Sequence, residues 1–495
     1  MIKLFYKYSF LLILVLSSCT KGFDDIENSN NSTIVPPSTL FTGISRSTFV
    51  GLGEAGQQSA QFFVHTNGGA LDEITYFFRR NNFSEYDILR NVERLRIETI
   101  NQKAPEHYLG LAKFFKAYLM VQLTQKVGDI PYSDALKADE NVVRPKYDTQ
   151  KDLYIAVLRE LDEANDLIPA TGTVTGDIIF DGTLIKWKKL VNTFKLRVLM
   201  SLSQKEADTD INVATQFANI VNNPTKYPLM QSNADNAMFK YYDVSGFRHF
   251  WASSTDALNY RMCTTLGDIL KANQDPRIQK FFNVPASPAG GNPADFSVYK
   301  SIDHGVPTST SSSIQTTTSP LNSRYIGSAT GEPYIQVSYH ELQFVLAEAA
   351  FRGWITGDVE SYYNEGIRSS CRFYSIPDAT INTFLAGNVK YDATKGLQQI
   401  STQRWIGYFM NSGYEALWNH RRTRARGFDP SNPNLPLGYP TFNIGPVNNN
   451  DGKIPNRYQY PENEGRLNTE NLTEAVQRQF GTDDINGIMW SLIKL

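Results

Sequence analysis

Three groups of residues in this 495-residue sequence have types and spacings that could do chemistry. Gly51-x-Gly53-x-x-Gly56, with Asp72 further on, matches the pattern that seats a dinucleotide pyrophosphate on a helix N-terminus and offers a carboxylate to the ribose. Only Phe49-Val50 precedes it and no βαβ rhythm surrounds it, so these glycines read as helix turns with close packing. His340-Glu341 begins a zinc-hydrolase helix, yet Phe344 stands where the second imidazole is needed. His340 therefore reads as a packing or capping residue. No Gly-x4-Gly-Lys phosphate loop or Gly-x-Ser-x-Gly elbow occurs, and the six His, with Cys263 and Cys371, show no metal-ligand spacing. The expectation is a protein without catalytic residues, cofactor or metal; two carboxylates across a cleft, as in a glycosidase, stay open as an alternative.

The third group is aromatic. Phe, Tyr and Trp make up 12% of the chain, and several cluster beside polar residues outside the regular helical patterns. The apolar C–H face of a pyranose stacks on an aromatic plane while Asn, Asp, Arg and His hold its hydroxyls. The candidate ligand residues are Tyr76, Arg79 and Asn81 in one stretch, His249, Phe250 and Trp251 in a second, and Tyr325 in a third. For each one, burial in the core is the competing reading.

The elements that must position these side chains are mainly helical. Forty-eight Lys and Arg against 50 Asp and Glu leave a net charge of −2, and 41% hydrophobic residues suffice for a large core. That balance argues against a basic nucleic-acid-binding protein, and no nucleic-acid partner is expected. Helical periodicity covers 106–127, 149–168, 183–203, 211–222, 335–352, 358–370 and 399–423. Gly128 is expected to cap the first in the left-handed region, and Pro169 stops the second. Small residues Ala347, Ala349, Ala350 and Gly366 let the 335–352 and 358–370 pair approach closely, which resembles a tetratricopeptide unit. Residues 226–330 are rich in Ser, Thr, Pro, Gly and Asn and read as a loop-rich lobe, with 306–320 of low complexity and expected to be mobile. Residues 426–495 read as an irregular C-terminal segment.

At the N-terminus, Lys3 and Lys7 precede an apolar run over 11–16, and Leu16-Ser17-Ser18-Cys19 ends it. This resembles a bacterial lipoprotein signal peptide over 1–18, with Cys19 lipidated (palmitate among the acyl groups) and becoming the mature N-terminus. Residues 19–40 read as a flexible tether, and 41–495 as a single domain with helical blocks over 41–225 and 331–425. The apolar run is too short to span a membrane, so attachment through the lipid is expected.

Six stretches in order resemble the SusD/RagB family, in particular its second SusD-like subgroup. They are Leu16 to Cys19; Gly128-Asp129-Ile130-Pro131-Tyr132 after a long helix; Trp187 to Arg197; Asp275-Pro276-Arg277; Gln403-Arg404-Trp405 through Trp418 to Arg421-Arg422-Thr423; and Pro455-x-Arg457-x-x-Tyr460-Pro461-x-x-Glu464. The resemblance implies a mainly α fold of tetratricopeptide-like helical pairs with an irregular, ligand-bearing lobe. It further implies an outer-membrane, surface-facing lipoprotein that captures a glycan and delivers it to a SusC-like TonB-dependent transporter. A peptide ligand is the alternative within the family, and a surface scaffold without a small ligand the alternative outside it. Arg421 and Arg422 would pair with acids of the closing segment.

Overall fold

The computed structural model describes residues 34–51, 53–67, 72–287, 291–423 and 438–494. Cys19, the 1–18 leader and most of the tether lie outside the described residues, as do Arg424 and Arg426.

The N-terminal block contains α1 (Pro37–Phe49), α2 (Glu54–Ser59), β1 (Phe63–His65), α3 (Asp72–Thr75), α4 (Glu85–Asn101), α5 (His107–Val127), α6 (Gln150–Leu167), α7 (Leu184–Ser201) and α8 (Val213–Asn222). Residues 37–40, assigned from sequence to the tether, instead open α1. Pro37 sits in its first turn, where a fixed φ favours the helix and no N–H is lost, and Phe41 and Ile44 are buried. Thr149 accepts a hydrogen bond from the Asp152 amide and so starts α6.

Helices α4 with α5, and α6 with α7, pack as neighbouring pairs in the tetratricopeptide manner. Trp187 on α7 is fully buried, its ring 5.3 Å from Phe41, 5.2 Å from Phe180 and 5.7 Å from Phe115. Its indole N–H donates to Asp177 at 2.9 Å, so the largest ring in this core leaves no polar atom unpaired.

The lobe that follows carries β2 (Ala237–Phe239), β3 (Tyr260–Met262), α9 (Thr264–Asn273), α10 (Ile278–Phe281) and α11 (Thr308–Ser313). It is less irregular than its composition suggests. β1 pairs antiparallel with β3, and β2 pairs with β4 (Tyr334–Val337), stitching the lobe to both helical blocks. The low-complexity run, expected to be mobile, is tied down: the Ser311 and Ser312 hydroxyls donate to the Thr66 carbonyl, and Ser319 is fully buried. Short hydroxyl side chains bonding nearby backbone supply the order that hydrophobic periodicity does not announce. Asp275 and Arg277 form a fully buried ion pair, and Arg277 also reaches Ser370 at 3.1 Å and Gln403 at 2.6 Å.

The second helical block holds α12 (Tyr339–Phe351), α13 (Val359–Phe373), α14 (Asp378–Ala386), α15 (Gly396–Gly407) and α16 (Glu415–Arg422). α12 and α13 form the expected hairpin. Ser338 caps α12 through the Glu341 amide, and Asp358 caps α13 through the Glu360 amide. A Cβ at Gly366 would lie 2.6 Å from the Phe344 ring, so the close approach read from the small residues is sterically required there. The single helix expected over 399–423 is broken. Between α15 and α16 the chain takes positive φ at Met410, Ser412 and Gly413, and its backbone pairs elsewhere: Ser412 N donates to Ile335 O, while the Gln57 amide bridges Met410 N and Asn411 O. The closing segment likewise contains α17 (Glu464–Leu467) and α18 (Thr469–Gln479).

Gly128 ends α5 at φ 99°, ψ −130°, outside the left-handed helical region expected of it. The adjacent α18 places Gln479 and Phe480 where a Cβ would stand, so glycine is needed for closeness as well as for φ. Arg421 and Arg422 differ from expectation too. Arg421 donates to the carbonyls of Asn456 and Gln125, and Arg422 pairs bidentately with Glu348 on α12, both bonds at 2.7 Å. Bidentate geometry with a carboxylate already inside the core wins over closing-segment acids.

That pairing belongs to a buried charged network. Glu341 on α12 accepts from Arg197 Nε at 2.7 Å, Tyr408 Oη at 2.7 Å and Arg404 Nη2 at 3.2 Å. Glu348, one turn pair further along, takes Arg422 and Arg352, and the cluster of cations holds its carboxyl far below the usual range. Removing one partner of such a network strands buried charge, which costs about 3–5 kcal/mol. Glu348→Ala is therefore expected to lower unfolding free energy by about 3–5 kcal/mol in urea titrations; a loss below about 1 kcal/mol would show that Arg422 re-pairs elsewhere.

Candidate ligand-binding face

β1 and β3 make the floor of the face. Phe63 and Tyr260, diagonal neighbours across the two strands, pack with ring centroids 4.7 Å apart and tilted, and Tyr260 lies 5.3 Å from the Trp251 indole. From Trp251 the ring contacts continue through Phe250 (4.9 Å), His249 (4.2 Å) and Tyr241 (4.7 Å). The segment carrying them is held at several points. Tyr241 Oη donates to Val50 O, the His249 amide donates to Ala329 O, and Arg46 of α1 reaches Gly246 O while covering the Phe247 ring. Trp251 and His249 are buried and brace the ledge, whereas Phe250 is 37% exposed. Tyr242, Val244 and Leu258 are exposed in the same segment.

Carboxylates gather beside the ledge. Glu54 of α2 lies beside Trp251 and within the fields of Asp256 and Glu73. Burial first, then repulsion from Asp256 and Glu73, pushes its carboxyl up to about 7. Burial also raises Glu73. Asp256 sits 2.9 Å from His65 Nε2 on β1, with its own side chain exposed. At the edge, the exposed Arg79 pairs with Asp72 of α3. Among the described residues no group of three or more His, Cys, Asp or Glu is arranged to hold a metal ion. The carboxylates here offer hydrogen-bond acceptors beside the exposed Phe250 ring, the combination of polar and apolar groups that a sugar site requires.

The sequence candidates thus separate. His249, Phe250 and Trp251 are contiguous, and Arg79 reaches the same neighbourhood through the α3 acids. Tyr76 does not join them: it is fully buried, its hydroxyl donating to Ser59 O and accepting from Gln61. Tyr325 is also buried, 5.9 Å from Phe409. Asn81 faces the opposite seam, where its amide donates to Gln459 O and its side chain accepts from Phe83 N. Glu54, Glu73, Asp256 and His65 were not singled out from sequence. Glu54 lies inside the glycine triplet that matches the dinucleotide pattern, and that triplet follows α1 and opens α2. His340 is buried with Nε2 3.0 Å from Gly407 O, the packing role expected of it.

A separate, more polar cleft of about 560 Å³ lies between α9, α15 and residues 440–443, lined by Asn273, Asn388, Gln398, Thr402, Thr441 and Asn443. Tyr363 is the aromatic ring among its lining residues, and that ring is buried. It offers hydrogen bonds without a stacking surface.

The raised Glu54 carboxyl sets a pH dependence. The folded state holds a proton there that the unfolded chain releases near its ordinary value of 4.5, so this group's contribution to stability declines as pH rises from about 4.5 to about 7. Thermal melts from pH 4 to 8 are expected to show Glu54→Gln gaining on the wild type across that window; parallel curves would mean that the Glu54 carboxyl titrates alike in the folded and unfolded chain.

Comparison with known proteins places this architecture. The chain matches over residues 29–461 the SusD-like family model described as starch-binding and associating with the outer membrane. It is similar to a SusD homologue from Bacteroides fragilis, 31% identical with a TM-score of 0.83, covering 92% of this chain and 100% of that one. A Bacteroides vulgatus outer-membrane protein described in terms of nutrient binding is 30% identical, TM-score 0.83, with the same coverages. A chitin-binding protein is 26% identical, TM-score 0.75, again over 92% and 100%. Among curated proteins nothing matches. With its helical pairs, its stitched lobe and this full-length likeness, the chain belongs to the SusD-like family.

Proposed function

We propose that this protein is a lipid-anchored, surface-facing binding subunit that captures an oligosaccharide on the Phe250–Trp251 ledge. It then hands the ligand to a SusC-like TonB-dependent transporter without breaking a bond. The observation that carries the ligand part of this reading is the exposed Phe250 ring backed by Trp251, with Glu54, Glu73 and Asp256 beside it. Family membership and the 26%-identical chitin-binding protein support a glycan ligand. Attachment through Cys19 rests on the signal sequence, and the transporter partner on the family resemblance.

The same carboxylates favour a second ligand class, a cationic peptide, since three acids near an aromatic ring also suit Lys or Arg side chains. The two classes differ in what they need from the site. A neutral sugar depends mainly on the ring, whereas a cationic chain depends on the charges.

Isothermal titration with chitin and starch oligosaccharides, and with a Lys-rich peptide, tests this directly. Phe250→Ala is expected to weaken oligosaccharide binding roughly fivefold, in line with about 1 kcal/mol for an aromatic contact. Asp256→Asn is expected to change it far less. Peptide binding lost with Asp256→Asn, and no oligosaccharide binding, would replace the glycan reading by the peptide one.

A further inference from the structure

The aromatic ledge carries a charge pattern that a neutral sugar leaves unanswered. Asp256 joins the floor of the face through His65: its carboxylate is 2.9 Å from His65 Nε2, the His65 ring lies 5.0 Å from Tyr260, and Tyr260 lies 5.3 Å from Trp251. Glu54 lies beside Trp251, with Glu73 of α3 near it.

Among the described residues neither Glu54 nor Glu73 forms an ion pair, and Asp256 meets the imidazole of His65 rather than a lysine or arginine. The cations of the surrounding segments are committed elsewhere. Arg79 pairs with Asp72, Arg248 with Asp243 at 2.8 Å and Lys240 with Asp181 at 3.6 Å, while Arg46 directs its guanidinium to the Gly246 carbonyl and the Phe247 ring. The charged groups whose fields reach Glu54 are Asp256 and Glu73, both negative; burial first, then these like charges, holds its carboxyl up at about 7.

His65 adds a fourth acceptor. Its side chain is 95% buried, and because a carboxylate only accepts, Nε2 carries the proton toward Asp256. Nδ1 of the neutral ring is then an acceptor, and it has no partner among the described residues.

The unmatched groups of this face are therefore acceptors, three of them carboxyls. A sugar hydroxyl gives such a group one neutral hydrogen bond and leaves its charge standing. An ammonium brings three donors and a positive charge. On a pyranose an equatorial amine lies at the rim of the ring, so the C–H face stacks on Phe250 while the amine meets carboxylates to one side.

We propose that the ledge selects oligosaccharides with free amino groups, 2-amino-2-deoxy sugars of the deacetylated-chitin kind, seating the ring face on Phe250 and the ammonium among Glu54, Glu73 and Asp256. This rests on the ledge being the capture site, and it narrows the ligand from a neutral glycan to a cationic one. A lysine side chain brings the same ammonium without the flat apolar face.

Isothermal titration of the protein with a glucosamine oligosaccharide and with its fully N-acetylated counterpart of equal length compares two ligands that differ in their acetyl groups alone. At about pH 6, which keeps the amine protonated, the amino form is expected to bind roughly tenfold tighter. That advantage is expected to shrink as sodium chloride is added, and in Glu73→Gln and Asp256→Asn, whereas Phe250→Ala weakens both sugars by a similar factor. Equal or tighter binding of the acetylated form, with both sugars weakened by Phe250→Ala, overturns the amino-sugar proposal and keeps the ledge as a glycan site. Failure of both sugars to bind, or binding that Phe250→Ala leaves unchanged, removes the ledge reading and this proposal with it.

Discussion

Burying ionised side chains in a helical core is costly unless every charge finds a partner, and this protein buries Arg197, Glu341, Glu348, Arg404 and Arg422 together. The rest of the architecture follows from how that requirement is met. Glu341 and Glu348 stand two helical turns apart on α12, so both face one side, and the arginines that answer them come from α7, α15 and α16. Arg197 additionally donates to the Gln336 carbonyl on β4. Four helices and a strand are thereby held in one register by groups that cannot slide without stranding a charge.

The proposed ligand face is suspended from this network through a short chain of contacts. Tyr408, bonded to Glu341, leads into the break between α15 and α16, where Met410 and Asn411 are clasped by Gln57 of α2 and Ser412 pairs with β4. Trp405 of α15 donates to Ala60 O at the end of α2. Helix α2 carries Glu54 to the Trp251 indole, and β1, which follows α2, pairs with β3 beneath the rings. A pre-positioned ledge of this kind loses little side-chain entropy on binding, which suits a shallow, partly wet glycan site.

Much of the helical fold was legible because it is written in local periodicity. Leu153, Val157, Leu161 and Ala164 mark the buried stripe of α6, and Leu342, Val345, Leu346 and Ala349 that of α12. What escaped was non-local. The break at 408–414 depends on a glutamine more than 350 residues upstream, and no pattern within 399–423 signals it. The order in 306–320 depends on hydroxyls meeting Thr66 across the lobe. In the site, the contiguous aromatic triplet His249, Phe250 and Trp251 was readable, but its acids come from α2, α3 and the segment beginning at Asp256. Single carboxylates among fifty carry no mark until the fold brings them together. Tyr76 and Tyr325 show the converse, aromatic residues in polar surroundings of sequence that fold inward.

The account stands most directly on where ligand contact occurs. Amide hydrogen exchange, followed by mass spectrometry with and without the saturating oligosaccharide that binds most tightly, reports this along the whole chain. Slowed exchange confined to residues 241–258 and to α2 through β1 is the predicted result. Slowing in 265–273 and 388–403 with no change at the ledge would place the ligand in the polar cleft beside α9 and contradict it.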